Sequence, residues 1–212
     1  MNAIPRKVER TVWGVLTSII LIIAVLFIRT RLQPASAPLP VLWTVPAFTL
    51  TNQLGAPVSA DSLRGKVWVA NTIFTRCAGP CPELTRRMSQ IQKALAEAAP
   101  VQLVTLTTDP EYDTPSELKK YGERFGANAD RWWFLTGPKR AIADLVVGGL
   151  KMTALEKKPE ERENLNDLFI HSTILVLVDP KGRVRGTVET LEAGWKEKAL
   201  QSVDQLLREK AP

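Results

Sequence analysis

Histidine is nearly absent from this 212-residue chain, where His171 stands alone. Any chemistry that needs an imidazole must use that residue. Only two cysteines occur, Cys77 and Cys81, in one short stretch. Two are too few for an iron–sulfur cluster held by four thiolates, and a pair so close in sequence staples no distant parts of the chain. No Gly-rich phosphate loop of the Walker type is present. A Pro-x-x-x-Thr/Ser-x-x-Cys arrangement of the peroxidase kind is also missing, since Pro80 directly precedes Cys81. Charge of one sign is nowhere concentrated. The net charge is +6, yet basic and acidic residues are mixed, as in Lys157-Lys158-Pro159-Glu160-Glu161-Arg162-Glu163. With no recognition motif beside it, such a surface is solvated rather than a nucleic-acid site, so no nucleic-acid partner is expected. Hydrophobic residues at 45% and charged residues at 24% exclude a disordered chain. No internal repeat and no second boundary within the globular part is found.

One long apolar run is present. Residues 11–28, TVWGVLTSIILIIAVLFI, carry no charge. As a helix they would reach about 27 Å, near the hydrocarbon thickness of a bilayer. Arg6, Lys7 and Arg10 precede the run, Arg29 and Arg31 follow it, and Trp13 sits where an indole favours the membrane interface. Three readings compete: an uncleaved anchor, a cleaved signal peptide and a buried core helix. The run has no polar face, which argues against a core helix. Ala35-Ser36-Ala37 has the small-x-small form of a cleavage site, but Pro38 would follow the cut. The expectation is a single-pass transmembrane anchor at residues 11–28. Residues 1–10 would lie in the cytoplasm because the basic flank is denser there. Residues 29–43 form a spacer stiffened by Pro and Ala. Residues 44–212 form a domain outside the cytoplasm, on a bacterial periplasmic side or its equivalent, where a Cys77–Cys81 disulfide can persist.

The domain reads as α/β. Residues 48–53 alternate and Leu54-Gly55-Ala56-Pro57 turns, giving a hairpin. Residues 66–74 form a buried strand. Leu84, Met88, Ile91 and Leu95 recur with helical spacing after Pro82. Residues 101–107 are a strand. Residues 114–125 are a helix opened by Thr114-Pro115, with Glu117 in capping-box position. A strand at 131–135 carries Trp132-Trp133-Phe134, read as core and cleft wall. A helix at 139–147 ends on Gly148-Gly149, and residues 150–168 are a polar insertion. A strand at 172–178, a turn at Asp179-Pro180-Lys181-Gly182, a strand at 183–189 and a helix from 191 or 193 to 208 close the chain. The order β-α-β-α-β-α-β-β-α, with parallel pairs from the helical crossovers and a terminal hairpin, is a thioredoxin-like plan: a central mixed sheet with flanking helices.

Cys77 follows a buried strand and Cys81 immediately precedes a helix. A helix N-terminus stabilises a thiolate through its partial positive charge and open amides, and a thiolate is both a metal ligand and a redox nucleophile. Arg76 adds positive charge beside the thiols. Four residues of separation let both sulfurs face one point if the loop folds as a helical turn. Thiolates suit Cu(I), zinc and iron–sulfur clusters. His171 stands at the start of an apolar strand, a position where α/β sheets carry sites, and is either a third ligand or a structural histidine.

Three segments, in order, resemble the SCO/SenC family of thioredoxin-like copper proteins linked to cytochrome oxidase assembly. They are FTRCAGPCPELTRRM at 74–88, TTDPEYDTPSELKKYGERF at 107–125 and HSTILVLVDPKGRV at 171–184. The resemblance covers most of residues 44–205. It implies copper, as Cu(I), Cu(II) or both, held by Cys77, Cys81 and His171, with Asp109 and Asp113 tuning the site from nearby. It also implies a metallochaperone whose partner is a cytochrome oxidase subunit or another copper or thiol protein. The residues between the cysteines are Ala78-Gly79-Pro80 where the family usually has Pro-Asp early in the interval, nearer to a thioredoxin Cys-Gly-Pro-Cys with one residue added. A thiol–disulfide oxidoreductase using Cys77 as nucleophile and Cys81 to resolve the mixed disulfide therefore stays open. So does a fixed Cys77–Cys81 disulfide in a domain that only binds a partner.

Overall fold

The computed structural model describes residues 6–31, 37–158, 160 and 169–209. It separates into two units, Met1–Ala37 and Pro38–Pro212. In the first, helix α1 spans Arg6–Arg31, about 39 Å at the α-helical rise. Ile20, Leu21, Ile22 and Ile23 are all exposed, so the apolar surface runs round the helix rather than along one face. Among its described side chains, the hydroxyls of Thr17 and Ser18 bond within the helix: Thr17 Oγ1 donates to the Trp13 carbonyl at 2.9 Å and Ser18 Oγ to that of Gly14 at 2.8 Å. Side chains are described in α1 for residue 10 and residues 12–25. Among the described residues no helix is long and apolar enough to cross a membrane.

The second unit is built on an eight-stranded sheet. Its strands and helices in chain order are β1 (Trp43–Thr44), β2 (Thr49–Asn52), β3 (Pro57–Ser59), β4 (Val67–Ile73), α2 (Cys81–Ala94), β5 (Val101–Thr107), α3 (Pro115–Arg124), β6 (Trp132–Thr136), α4 (Lys139–Ala143), β7 (Ala154–Glu156), β8 (Phe169–His171), β9 (Ile174–Val178), β10 (Arg183–Glu189) and α5 (Trp195–Arg208). The sheet order is β1-β10-β9-β4-β5-β6-β2-β3, and β7 pairs with β8 apart from it. β4, β5 and β6 are parallel, with Val67 opposite Val101 and Leu103 opposite Trp132; β9 returns antiparallel against β4. The mixed sheet with flanking helices is the one expected.

The core follows from strand alternation. Val67, Val69 and Ile73 face one side, with Leu103, Trp132 and Phe134, under α2, α3 and α5. Trp68 and Ala70 face the other, with Val104, Leu106 and Leu135, under Ile142, Leu145 and Val146. Because both faces are covered, β4 and β5 are buried along their whole length. Burying polar side chains there requires partners. Thr105 Oγ1 donates to Asn71 Oδ1 at 2.7 Å and accepts from Trp132 Nε1 at 2.8 Å.

Four features differ from the expectation. The helix at 139–147 is α only to Ala143 and continues as a π-turn over Asp144–Gly149. Leu150 N reaches back to the Leu145 carbonyl at 2.8 Å, and Trp43 Nε1 donates to the Gly149 carbonyl at 2.8 Å. A side chain at Gly149 would meet Pro46 at 3.0 Å, so glycine lets this chain pass close. The insertion contains a short strand, β7, which pairs with β8 immediately after it. The strand expected at 172–178 begins at Ile174, because Ser172 and Thr173 turn their backbone bonds to Thr153 and Thr190. The last helix starts at Trp195, after Gly194 in the left-handed region at φ 75°.

A bulge in β10 serves stability. Val184 pairs with Val178 and Gly186 with Leu177, which leaves Arg185 as the extra residue. Its side chain, 5% exposed, turns inward to Asp179 Oδ2 at 3.0 Å and Glu209 Oε2 at 2.6 Å. It also donates to the Leu39 and Pro40 carbonyls. One guanidinium thus joins the start and end of the domain to the β9–β10 turn. Arg185→Met is expected to lower unfolding free energy by about 2 kcal/mol, since it leaves the Leu39 and Pro40 carbonyls without their donor and removes one of two arginines from Asp179, which keeps Arg183. A urea titration checks this as a lower midpoint at unchanged slope; a loss under about 1 kcal/mol would mean the strap lies outside the cooperative fold.

Candidate metal and thiol site

β4 ends at Ile73, and the chain then turns: Cys77 N donates to the Phe74 carbonyl at 3.2 Å. α2 opens at Cys81 with Pro80 as its cap and Pro82 inside the first turn, and Leu84 N bonds the Pro80 carbonyl at 2.9 Å. Both cysteines are buried, Cys77 at 8% exposure and Cys81 at 0%. They are present as thiols rather than a disulfide, and they share a hydrogen bond. The two sulfurs therefore face one point, as the four-residue spacing requires.

The helix N-terminus lies where the sequence puts it, but its pull on the Cys81 thiol is outweighed. The hydrogen bond with Cys77, then burial, then the electrostatic field of Cys77, push the Cys81 thiol far above the ordinary range; a backbone contact at Phe74 opposes this and Asp113 adds to it. A proton therefore stays in the pair, shared in the contact between the two sulfurs. The more exposed Cys77 is left as the sulfur able to meet a reactant first.

Asp109 and Asp113 come from the turn after β5, which ends beside β4 because the two strands are parallel. Asp113 is fully buried. Thr75 N donates to its Oδ2 at 3.1 Å, and the hydroxyls of Thr75 and Thr107 each donate to the same carboxyl group. Thr107 Oγ1 also accepts from Asp109 N at 3.0 Å. Burial pushes the Asp113 carboxyl up, with the donors from Thr107 and Thr75 pulling the other way and Asp109 adding to the rise. Asp109 itself meets Arg76 Nη2 at 2.6 Å, and the Arg76 guanidinium lies 4.2 Å from the Tyr112 ring centroid. Arg76 thus has a carboxylate partner in Asp109, which its adjacency to Cys77 did not predict. A groove of about 380 Å³ runs beside it, lined by Thr75, Arg76, Tyr112, Glu117, Lys120 and Arg124. Its charged rim makes it unlike an apolar ligand pocket.

His171 is the last residue of β8, opposite Ala154; its side chain lies outside the described residues. β9 starts three residues later and runs antiparallel to β4, so it begins at the end of the sheet where β4 finishes. That end carries Cys77, Cys81, Asp109 and Asp113. Among the described residues no group of three or more His, Cys, Asp or Glu side chains could hold a metal ion. The described donors for a soft metal are the two thiols.

With this geometry in view, comparison with known proteins is decisive. A family model described as SCO1/SenC matches residues 41–208. The chain belongs to the SCO1/SenC family. The SCO1 protein homolog of Bacillus subtilis (strain 168) is 40% identical over 147 residues, covering 68% of this chain and 73% of that protein. The solved structure of BsSco, a member of the Sco family of cytochrome c oxidase assembly proteins in which a disulfide switch was identified, is 35% identical with a TM-score of 0.70, over 82% of this chain and 99% of that one. The copper-bound structure of ScoI from Bradyrhizobium japonicum is 25% identical with a TM-score of 0.65, over 77% of this chain and 99% of that one.

Sequence reasoning missed the threonines that hold the site. Thr75 and Thr107 bind Asp113, and Thr85 Oγ1 donates to the Cys81 carbonyl at 2.8 Å. Only Thr85 left a signal, its position four residues after Cys81 on a helix. Asp113→Ala leaves the buried Thr107 hydroxyl and the half-buried Thr75 hydroxyl and amide without their acceptor, and is expected to cost about 2–3 kcal/mol. Asp113→Asn isolates the charge. Because the folded carboxyl has a raised pKa, its contribution is present below about pH 4 and is lost as pH rises through the folded value. The stability of the wild type relative to Asp113→Asn should therefore fall as pH increases above about 4. Chemical denaturation at several pH values checks the slope, and a flat or rising difference would contradict it.

Proposed function

We propose that this SCO1/SenC protein carries copper as cargo, held by the thiolates of Cys77 and Cys81 and the imidazole of His171, for delivery to an oxidase copper site. The observation that carries the reading is the thiol pair itself: two buried sulfurs in mutual contact at the start of α2, at the sheet end where β9 begins. Two thiolates suit Cu(I), and an imidazole extends the set to either oxidation state. The copper-bound ScoI relative and the oxidase-assembly role of BsSco support the same reading. Asp113 holds the β4 end that leads into Cys77, and Asp109 keeps the Arg76 charge away from the cation.

Both thiols must lose protons when copper enters, and the pair holds one proton strongly, so uptake releases protons and strengthens with pH. The charge-free run of residues 11–28, the all-round apolar exposure of residues 12–25 and the internally bonded hydroxyls of Thr17 and Ser18 support a single membrane anchor with the domain outside the cytoplasm. The partner would be a cytochrome oxidase subunit or another copper or thiol protein.

A second reading rests on the same contact. Cys77 can attack a partner disulfide, and Cys81 then resolves the mixed disulfide; the disulfide switch of BsSco favours keeping it. His171 separates the two. Copper affinity of the reduced protein should fall about a hundredfold or more in His171→Ala, and be lost in Cys77→Ser and Cys81→Ser. Thiol–disulfide exchange should survive His171→Ala. Copper retention through a desalting column, with thiol titration alongside, measures both. A reduced wild type that passed the column without copper would contradict the carrier reading.

A further inference from the structure

The Cys81 carbonyl is the end point of a buried relay from another helix. Thr85 Oγ1 donates to that carbonyl at 2.8 Å. A hydroxyl has one proton, so in its 2.9 Å contact with Tyr121 Oη the threonine accepts and the tyrosine donates. Cys81 and Thr85 are fully buried and Tyr121 is 2% exposed, so water cannot replace a missing member. Tyr121 is itself fixed. Its ring lies 4.9 Å from Phe125 and edge-on to Phe134 at 6.2 Å, with the Arg124 guanidinium 4.9 Å away. The next residue, Gly122, has no room for a side chain, since a Cβ would stand 2.9 Å from Phe134. Tyr121 also feels both sulfurs: after burial, the fields of Cys81 and Cys77 help push its hydroxyl well up, which keeps it a donor. α3 thus grips the residue of α2 that bears a reactive sulfur.

We propose that Tyr121 and Thr85 are positioning residues for Cys81, holding it in the dithiol geometry and so setting the redox poise of the Cys77–Cys81 pair. The proposal rests on the thiol reading of that pair. The reaction concerned is exchange: the two thiols form one S–S bond, two electrons pass to a partner disulfide, and the two protons leave on the partner's two thiols. The relay exists in the dithiol form. On this proposal, closure of the S–S bond draws Cys81 towards Cys77 and breaks the relay, so that losing the relay raises the energy of the dithiol form and makes the pair easier to oxidise.

The test equilibrates the full chain in detergent with oxidised and reduced glutathione and counts thiols. Tyr121→Phe and Thr85→Val should each move the exchange constant about fivefold towards the disulfide, the size of one net hydrogen bond, equivalent to about 20 mV. Thr85→Ser should restore the wild-type constant. Tyr121→Phe should add little on top of Thr85→Val, since the relay acts as one chain. If the variants melt lower yet keep the wild-type constant, or if Thr85→Ser behaves as Thr85→Val, the positioning role is overturned and the relay is structural only. If the wild type itself forms no exchangeable disulfide, the thiol reading fails first and the proposal falls with it.

Discussion

The carboxyl group of Asp113 ties the ends of β4 and β5 together, and the site depends on that tie. Parallel pairing already brings both strand ends to one edge of the sheet. It does not decide where the chain goes after Ile73. Thr75 does, because its amide and hydroxyl both reach the Asp113 carboxyl. Cys77 comes two residues later, with no slack in between. The cost is a buried acid, which the three donors offset. Remove the acid and the loop bearing Cys77 is left with the Arg76–Asp109 ion pair, on the half-exposed side, as its polar anchor among the described side chains to the turn after β5.

Burial sets the chemistry of the pair. A thiolate at a helix start would ordinarily be favoured, but Cys81 lies under α2 and β4 with a second sulfur against it. The neighbouring sulfur, then the desolvation, win, and one proton stays in the pair. The two cysteines are also unequal in exposure, Cys77 at 8% and Cys81 at 0%, so Cys77 is the first point of contact. Both candidate activities use these features. Metal uptake must displace the shared proton, and thiol exchange needs one sulfur to attack and the other to wait.

The sequence made the sheet, the parallel crossovers and the cysteine pair legible, because each leaves a local pattern. β4 and β5 are continuous β-branched and apolar runs, α2 repeats at helical spacing, and Thr114 does cap α3 by accepting from Glu117 N. Even there the reciprocal half of the capping box is missing, since the Glu117 side chain pairs with Lys120. What escaped is set by contacts distant in sequence. β7 and β8 pair across the insertion, Arg76 finds Asp109 from the next strand's turn, and Arg185 turns inward only because β10 bulges. The relay from Tyr121 to Cys81 spans two helices and has no signature beyond the i,i+4 threonine. The SCO/SenC resemblance supplied the ligand set that spacing alone left open.

The most direct test of the account is the copper coordination shell of the loaded, reduced protein by X-ray absorption. The account predicts two sulfur neighbours and an imidazole nitrogen for each copper, with the imidazole signal vanishing in His171→Ala. A shell of oxygen and nitrogen alone, or an imidazole signal unchanged in His171→Ala, would contradict it.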